Sequence, residues 1–298
     1  MQRISREHIT YRFAPDVPPV AAVEPGETLV LETYDASTGR IRRKEDVEVY
    51  QRVRDPRRVN PATGPVEVRG AEPGDALRVT ILDIRLDHLG FVRMAPGVGT
   101  MKAEIERPVG TIVRVERGHL LFDCGVKLPL RPMVGVIGTA PAAGEYLTAV
   151  PSPIGGNLDF NDITVGAVAH LPVHVPGALF ALGDVHASMG DAEATGTGVE
   201  ICAEVAVRVE VEKGVGLHRP WFETPTHWIT YAHHADVQRA INEAVSEMAT
   251  FLTCRLGVSR EDAFFLITVQ GDVRLGQACD FPGIDATVRV LFPKLDGW

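Results

Sequence analysis

Five residues that can bind a metal ion or transfer a proton lie within one segment of eighteen positions, residues 183–200. Carboxylates and imidazoles are oxygen and nitrogen ligands of divalent cations, and the same groups act as general acids and bases. Glycines between them let the backbone bend tightly around these side chains. We therefore predict a functional site here, and its candidate residues are Asp184, His186, Asp191, Glu193 and Glu200.

Asp184 and His186 stand two positions apart, so both side chains would point to the same face of a β-strand. An isolated pair of this kind is more often a turn-capping aspartate beside a buried, hydrogen-bonded histidine. Here Asp159 lies in a second polar segment, and Glu200 opens an apolar strand, where a lone buried carboxylate is costly. We therefore predict a divalent metal ion, Zn²⁺ before Ca²⁺, with Asp159, Asp184, His186 and Glu200 as its candidate ligands.

Glu193 and Asp191 are the candidate acid–base residues. Crowded carboxylates are costly unless a cation neutralises them or one of them holds a proton, and either solution serves catalysis. The alternative is a solvent-exposed acidic loop. Gly155, Gly156 and Asn157 add amide groups that could stabilise a developing oxyanion, although paired glycines more often mark only a tight turn.

Short apolar segments separated by turn residues predict a mainly β fold. With 29 glycines and 21 prolines between them, the pattern favours β-sandwich or barrel units over βαβ repeats. The predicted strands cover residues 28–33, 76–86, 111–116, 120–122, 163–170, 199–211 and 287–292.

One segment has the period of a helix instead. Apolar residues recur at helical spacing over residues 233–256, which predicts a long amphipathic helix that Gly257 ends. Ser259 then predicts the N-cap of a second, shorter helix, with Asp262 three residues later as in a capping box. Both helices are expected to cover a sheet, so the fold class is mainly β of the α+β type.

The 298 residues suffice for one large or two interlocked domains. We divide the chain into a β-rich N-terminal region, residues 1–130, and an α+β region that carries the site, residues 131–298. Few sequence features mark this boundary, and the two regions are expected to form one interlocked unit.

Composition limits the partners that the chain can have. A formal net charge of −9 argues against nucleic acid and anionic membranes, and the one dense basic run, residues 52–58, is interpreted as a solvated loop. The longest apolar stretch, residues 163–182, contains Pro172 and Pro176, which argues against a membrane helix. No apolar export segment begins the chain, so we expect a cytoplasmic protein. Reduced thiols are expected at the widely spaced Cys124, Cys202, Cys254 and Cys279.

Six segments carry a resemblance to a known family, and they follow one another in that family's order. They are residues 63–75, 128–138, 155–159, 171–173, 176–180 and 183–187. On these segments the chain resembles the acetamidase/formamidase family over most of its length. The resemblance implies a β-rich, metal-associated hydrolase of short linear amides that assembles as a homo-oligomer.

Carried over residue by residue, the resemblance places Asn157, Asp159, Asp184, His186, Asp191, Glu193 and Glu200 at the site. Two positions depart from the family's pattern. Met189 stands where the family usually has glutamine, and Ile154 stands where it often has histidine. Both changes remove polarity near the expected substrate, so Met189 is also a candidate substrate-contacting residue.

The combined hypothesis is a metal-dependent amidohydrolase of formamide-like or acetamide-like substrates. Glu193, or alternatively Asp191, takes a proton from water and passes it to the departing ammonia, while Asn157 and glycine N–H groups stabilise the oxyanion. Two alternatives stay open. One is a non-catalytic β-sandwich binding protein with a structural cation, and the other is a hydrolase of a cyclic amide or a lactone.

Overall fold

The computed structural model describes residues 1–278 and 283–295, so Cys279 lies outside the described residues. Within these ranges the helices are α1 (Lys44–Val53), α2 (Val237–Leu256) and α3 (Arg260–Gln270). The strands are β1 (Gln2–Ile4), β2 (Ile9–Thr10), β3 (Arg12–Phe13), β4 (Ala21–Val23), β5 (Thr28–Thr33), β6 (Ala62–Val68), β7 (Ala76–Met94), β8 (Val109–Glu116), β9 (His119–Phe122), β10 (Lys127–Pro129), β11 (Met133–Gly138), β12 (Tyr146–Leu147), β13 (Pro151–Ser152), β14 (Gly155–Asn157), β15 (Val168–Pro172), β16 (Phe180–His186), β17 (Glu200–Glu212), β18 (Trp221–Glu223), β19 (His227–His234), β20 (Asp272–Leu275) and β21 (Ala286–Pro293). The prediction of a mainly β fold with a long helix is confirmed.

Strand β17 lies at the centre of the sheet, where it pairs antiparallel with both β5 and β7. Val205 stands opposite Leu31 on one side and Ile84 on the other. All three are buried in the main hydrophobic core. These pairings join strands from before and after residue 130, so the sheet runs across the predicted boundary, which itself stays a prediction.

Strand β16 brings the centre of the sheet to the candidate site. It pairs with β11 along most of its length, and its last residue, His186, stands opposite Glu200 at the start of β17. Strand β11 also pairs with β14, so Val136 faces both Asn157 and Gly183. Since side chains directly opposite in neighbouring strands have Cβ atoms about 4.5–5.5 Å apart, this register gathers the ends of β14, β16 and β17.

Helix α2 covers the β19–β21 pair. Its buried face packs against apolar side chains of both strands, and the shared core contains Ala240, Ala244, Met248, Leu252, Trp228, Val288, Val290 and Phe292. The burial of this face, rather than helix propensity alone, stabilises the helix in place.

The helix begins four residues later than the predicted position 233. His233 and His234 still belong to β19 and pair with β21. Asp236 is the N-cap, and its side chain accepts a hydrogen bond from the N–H of Arg239 at 2.9 Å. At the other end Gly257 has a left-handed φ of 68°, as predicted for the stop.

Three further features differ from the sequence expectation. The strand predicted over residues 163–170 begins only at Val168, because Gly166 has a φ of 87° that interrupts extended structure. Strand β7 continues to Met94, beyond the predicted end at residue 86. Helix α1 was not predicted, and it packs Val47 and Tyr50 into a small core with Phe91.

Among the described residues, no helix has both the length and the apolarity that crossing a membrane requires.

Candidate metal centre and cavity

His186 lies at the centre of the site. Its Nε2 atom is 3.1 Å from Oε1 of Glu200, the residue opposite it in the sheet, and 3.8 Å from Oδ1 of Asp184. All three side chains are buried. The predicted convergence of Asp184, His186 and Glu200 is therefore what the structure shows.

Asp159 reaches the same place from the loop that follows β14. One ligand atom each from Asp159, Asp184 and His186 lie within 4.8 Å of one another. Asp159 adopts a left-handed φ of 53°, and its N–H donates to the carbonyl oxygen of Gly135 on β11 at 3.3 Å. This backbone bond holds the loop against the strand that runs beside β16.

Glu193 completes a second group with His186 and Glu200, again with ligand atoms within 4.8 Å of one another. His186 belongs to both groups, so the two form one continuous centre. We call Asp159, Asp184, His186, Glu193 and Glu200 the acidic cluster.

Six ligand atoms of the acidic cluster form no hydrogen bond among the described residues. Both carboxylate oxygens of Asp159, one oxygen each of Asp184 and Glu200, and both ring nitrogens of His186 are buried without a hydrogen bond. A buried polar atom left unpaired costs about 1–3 kcal/mol, and a charged one more. A divalent cation coordinated by these oxygen and nitrogen atoms would remove that cost, so the donor set fits a metal ion.

Burial and mutual repulsion shift the pKa values in the cluster. Burial, followed by the charge of Glu200, raises the pKa of Asp159 to about 6 and holds that of Asp184 well above its ordinary value. Burial and the charge of Asp159 raise the pKa of Glu193. Burial opposes a charged His186, but the surrounding carboxylates, Glu200 first, outweigh it and raise the pKa. The carboxylates of the cluster thus lack enough positive charge nearby to compensate their own.

Two side-chain amides fix one edge of the cluster. Asn60 donates its Nδ2 to Oδ2 of Asp184 at 2.8 Å and to Oδ1 of Asn157 at 3.3 Å. Gln277 donates to the carbonyl oxygen of Asn157 at 2.9 Å. Sequence reasoning missed Asn60; the only local signal was the turn dipeptide that it forms with Pro61.

The cluster opens into a cavity of about 560 Å³. Glu193, Glu200 and Asn157 line it, and so do Arg54 and Arg93. The basic run over residues 52–58 was interpreted as a solvated loop, but Arg54 and Arg57 from this run form part of the wall. Volumes of roughly 300–1,000 Å³ are usual for small-molecule sites.

Asp191 does not join the cluster. Its Oδ1 accepts hydrogen bonds from Arg289 at 2.7 Å and from Asn161 at 2.8 Å. Burial opposes the charged form, but the bond from Arg289 prevails and lowers the pKa of Asp191. Ala192 and Glu193 have φ values of 76° and 46°, so the chain turns between the two carboxylates and they point to different places.

The other predicted substrate-contacting residues serve packing. A Cβ on Gly155 would lie 2.1 Å from the carbonyl oxygen of Ile137, and one on Gly156 would lie 2.2 Å from that of Val150. Met189 is buried, and Gly198 packs between its side chain and the ring of His186. None of the three is among the described residues that line the cavity.

Comparison with known proteins gives a consistent result over nearly the whole chain. The model of the Acetamidase/Formamidase family matches residues 2–146 and 142–294. The crystal structure of an acetamidase from Bacillus halodurans superposes with a TM-score of 0.91 at 37% identity, covering 98% of this chain and 97% of that one. A formamidase from Methylophilus methylotrophus is 25% identical, and the match covers 94% of this chain and 87% of that protein. A relative from Schizosaccharomyces pombe is 26% identical over 68% of this chain, which spans 63% of that protein's length. The resemblance expected from the sequence is confirmed, and the chain belongs to the acetamidase/formamidase family.

Proposed function

We propose that this protein is a metal-dependent hydrolase of short linear amides that releases ammonia and a carboxylate. Family membership and relatives named acetamidase and formamidase support the reaction class. The single observation that carries the proposal is the acidic cluster, in which six buried ligand atoms form no hydrogen bond among the described residues and which opens through Glu193 and Glu200 into the cavity. The homo-oligomeric state and the cytoplasmic location stay predictions.

The donor set favours zinc. Asp159, Asp184, His186 and Glu200 would hold the ion, and the histidine nitrogen suits Zn²⁺ better than Ca²⁺, which prefers oxygen ligands. When bound, such an ion polarises a carbonyl group and lowers the pKa of water.

Glu193 is the residue that we assign to proton transfer. It belongs to the cluster and lines the cavity, so its carboxylate is accessible to substrate and water. Glu193 takes a proton as the water oxygen bonds to the carbonyl carbon, and it delivers that proton to the amide nitrogen as the carbon–nitrogen bond breaks. Amide nitrogen is a poor leaving group without this proton, and a positioned acid–base residue contributes typically ~10²–10⁴-fold.

Asn157 is the residue that we assign to the carbonyl oxygen. Its Nδ2 donates one hydrogen to Oε1 of Gln277 at 3.4 Å, and the amide group has a second hydrogen to donate. The side chain is oriented by Asn60 and Gln277 before substrate arrives, as stabilisation of a developing oxyanion requires.

Ammonia release from formamide, acetamide and propionamide tests the proposal, with enzyme that is zinc-loaded, chelated and reloaded. We expect turnover that chelation removes and zinc restores, and a loss of roughly 10²-fold or more in Glu193→Gln with the metal still bound. Glu116→Gln, an exposed change on β8, is the control. Full activity in Glu193→Gln would remove that residue from the mechanism.

The same assay separates the alternatives that the sequence left open. A binding protein with a structural cation would lose thermal stability on chelation but turn over no amide. A hydrolase of cyclic substrates would act on a lactam or lactone and leave the linear amides intact. Either result would contradict the proposal.

A further inference from the structure

The cavity is far larger than formamide or acetamide requires. Acetamide has four non-hydrogen atoms and fills roughly the space of four water molecules, about 120 Å³ at ~30 Å³ each. The cavity has about 560 Å³. An amide group bound at the acidic cluster therefore leaves room for an acyl chain longer than that of acetamide. The side chains of the remaining wall determine which functional group that chain can end in.

Arginine side chains line the wall that helix α1 and the end of β7 provide. Arg93 is buried, its Nη1 donates to Oε1 of Gln51 at 3.3 Å, and its guanidinium lies 5.8 Å from the ring centre of Tyr50. Over residues 1–278 and 283–295, no carboxylate forms an ion pair with Arg93. Within these described ranges the guanidinium of Arg93 contacts a neutral amide and an aromatic ring but no carboxylate, so its charge is not compensated there.

Arg54 adds a second positive charge to this wall. Burial first, and then the nearby charge of Arg93, lower the pKa of Arg54, so the two guanidinium groups repel each other across a partly desolvated space. Both line the cavity. A guanidinium binds a carboxylate strongly, because it presents several donors in a planar fork.

The cavity therefore has an electrical polarity. Glu193 and Glu200 lie on its acidic wall, and Arg54 and Arg93 lie on its basic wall. The two walls are linked, because the backbone N–H of Arg93 donates to Oγ1 of Thr197, in the loop after Glu193, at 3.1 Å. An anionic group is attracted to the basic wall, so it would orient the rest of a ligand.

We propose that the preferred substrate is a linear amide whose acyl chain ends in a carboxylate, that is, the monoamide of a dicarboxylic acid. The amide group lies at the acidic cluster, and the carboxylate binds Arg93, with the charge of Arg54 on the same wall adding to the attraction. This inference rests on the proposed function and names its substrate class.

Two series of amides of matched carbon number test the inference. Malonamate, succinamate and glutaramate carry the carboxylate, whereas propionamide, butyramide and pentanamide end in a methyl group. We expect at least one member of the first series to exceed its neutral counterpart in kcat/KM by about 10- to 100-fold, the effect of one charge-assisted hydrogen bond. Arg93→Gln should abolish that preference through KM, whereas Arg114→Gln, on an exposed part of β8, should keep both the preference and the turnover of neutral amides.

Inhibition of the unaltered enzyme gives a measurement that needs no variant. Glutarate should compete with an amide substrate about 10-fold more strongly than pentanoate does. Equal or better turnover of the neutral series at every length, or equal inhibition by the two acids, would overturn the inference and leave the proposed function standing. Absence of turnover in both series would overturn both.

Discussion

Gly135 and Asp159 are packed so closely that a Cβ on Gly135 would lie 2.5 Å from Oδ1 of Asp159. The same atom would lie 3.1 Å from Oδ2 of Asp184. The missing side chain on β11 is thus the space in which two carboxylates of the acidic cluster meet. The centre depends on this glycine as much as on its own donor atoms.

Gly135→Ala should therefore damage the metal centre while leaving every donor in the sequence. We expect weaker metal binding, because Asp159 and Asp184 must move apart, and a loss of about 1–3 kcal/mol in the free energy of unfolding, as for other overpacked cores. Metal content after dialysis and urea unfolding measure the two effects. Gly190→Ala is the matched control, because a Cβ there meets nothing within 4 Å. Equal metal content in the two variants would contradict the packing argument.

Arg289 links the two loops that carry Asp159 and Glu193. It is buried on β21, and it donates to Asp162 in one loop and to Asp191 in the other. Arg289→Met should leave both carboxylates without their cation, so we expect a loss of about 3 kcal/mol in the free energy of unfolding, the lower end for breaking a buried pair. Urea unfolding measures this.

The control for Arg289 is Arg85→Met, which removes a pair of exposed groups, Arg85 and Asp83. Such surface pairs contribute about 0–1 kcal/mol. If both variants lose the same stability, Arg289 does not hold the loops together. A kcat that falls in Arg289→Met while KM stays constant would show that the link also positions Glu193.

The sequence predicted the part of the site that strand geometry controls. Alternation on β16 was enough to expect Asp184 and His186 to converge with Glu200, which opens the neighbouring strand, although Asp184 itself has a left-handed φ of 53° within β16. Asp191 and Glu193 also stand two apart, but positive φ values at Ala192 and Glu193 turn the chain between them.

The rest of the site comes from residues far apart in the chain. Asn60 binds Asp184 from a distance of 124 positions, and no local pattern encodes such a contact. The positive charge of residues 52–58 was visible in the sequence, but the side of the chain that it faces was not. Arg54 follows the end of helix α1 and lines the cavity. The long helix was predictable because its buried face repeats over twenty residues.

Glu223 should make the stability of the protein sensitive to acid. A hydrogen bond with His170, reinforced by Lys294, lowers the pKa of Glu223 to about 2 from the ordinary 4.5. A lowered pKa means that the stabilisation is complete above pH 4.5 and is lost as the pH falls toward 2. The free energy of unfolding of Glu223→Gln should therefore fall less steeply over this window than that of the unaltered protein. Parallel curves from urea unfolding across the window would contradict the assignment.

Asn60 should control the metal affinity without touching the ion. Its Nδ2 holds Oδ2 of Asp184 at 2.8 Å, which aims the other oxygen of that carboxylate into the cluster. Loss of a residue that orients a metal ligand typically weakens metal binding by about 10–100-fold, and we expect this of Asn60→Ala. Competition with a chelator measures the dissociation constant for zinc. Asn161→Ala is the matched control, since that asparagine makes an equivalent 2.8 Å bond to Asp191 outside the cluster. Equal dissociation constants for the two variants would show that Asp184 keeps its orientation without Asn60, and the hydrogen bond would then be incidental to the metal centre.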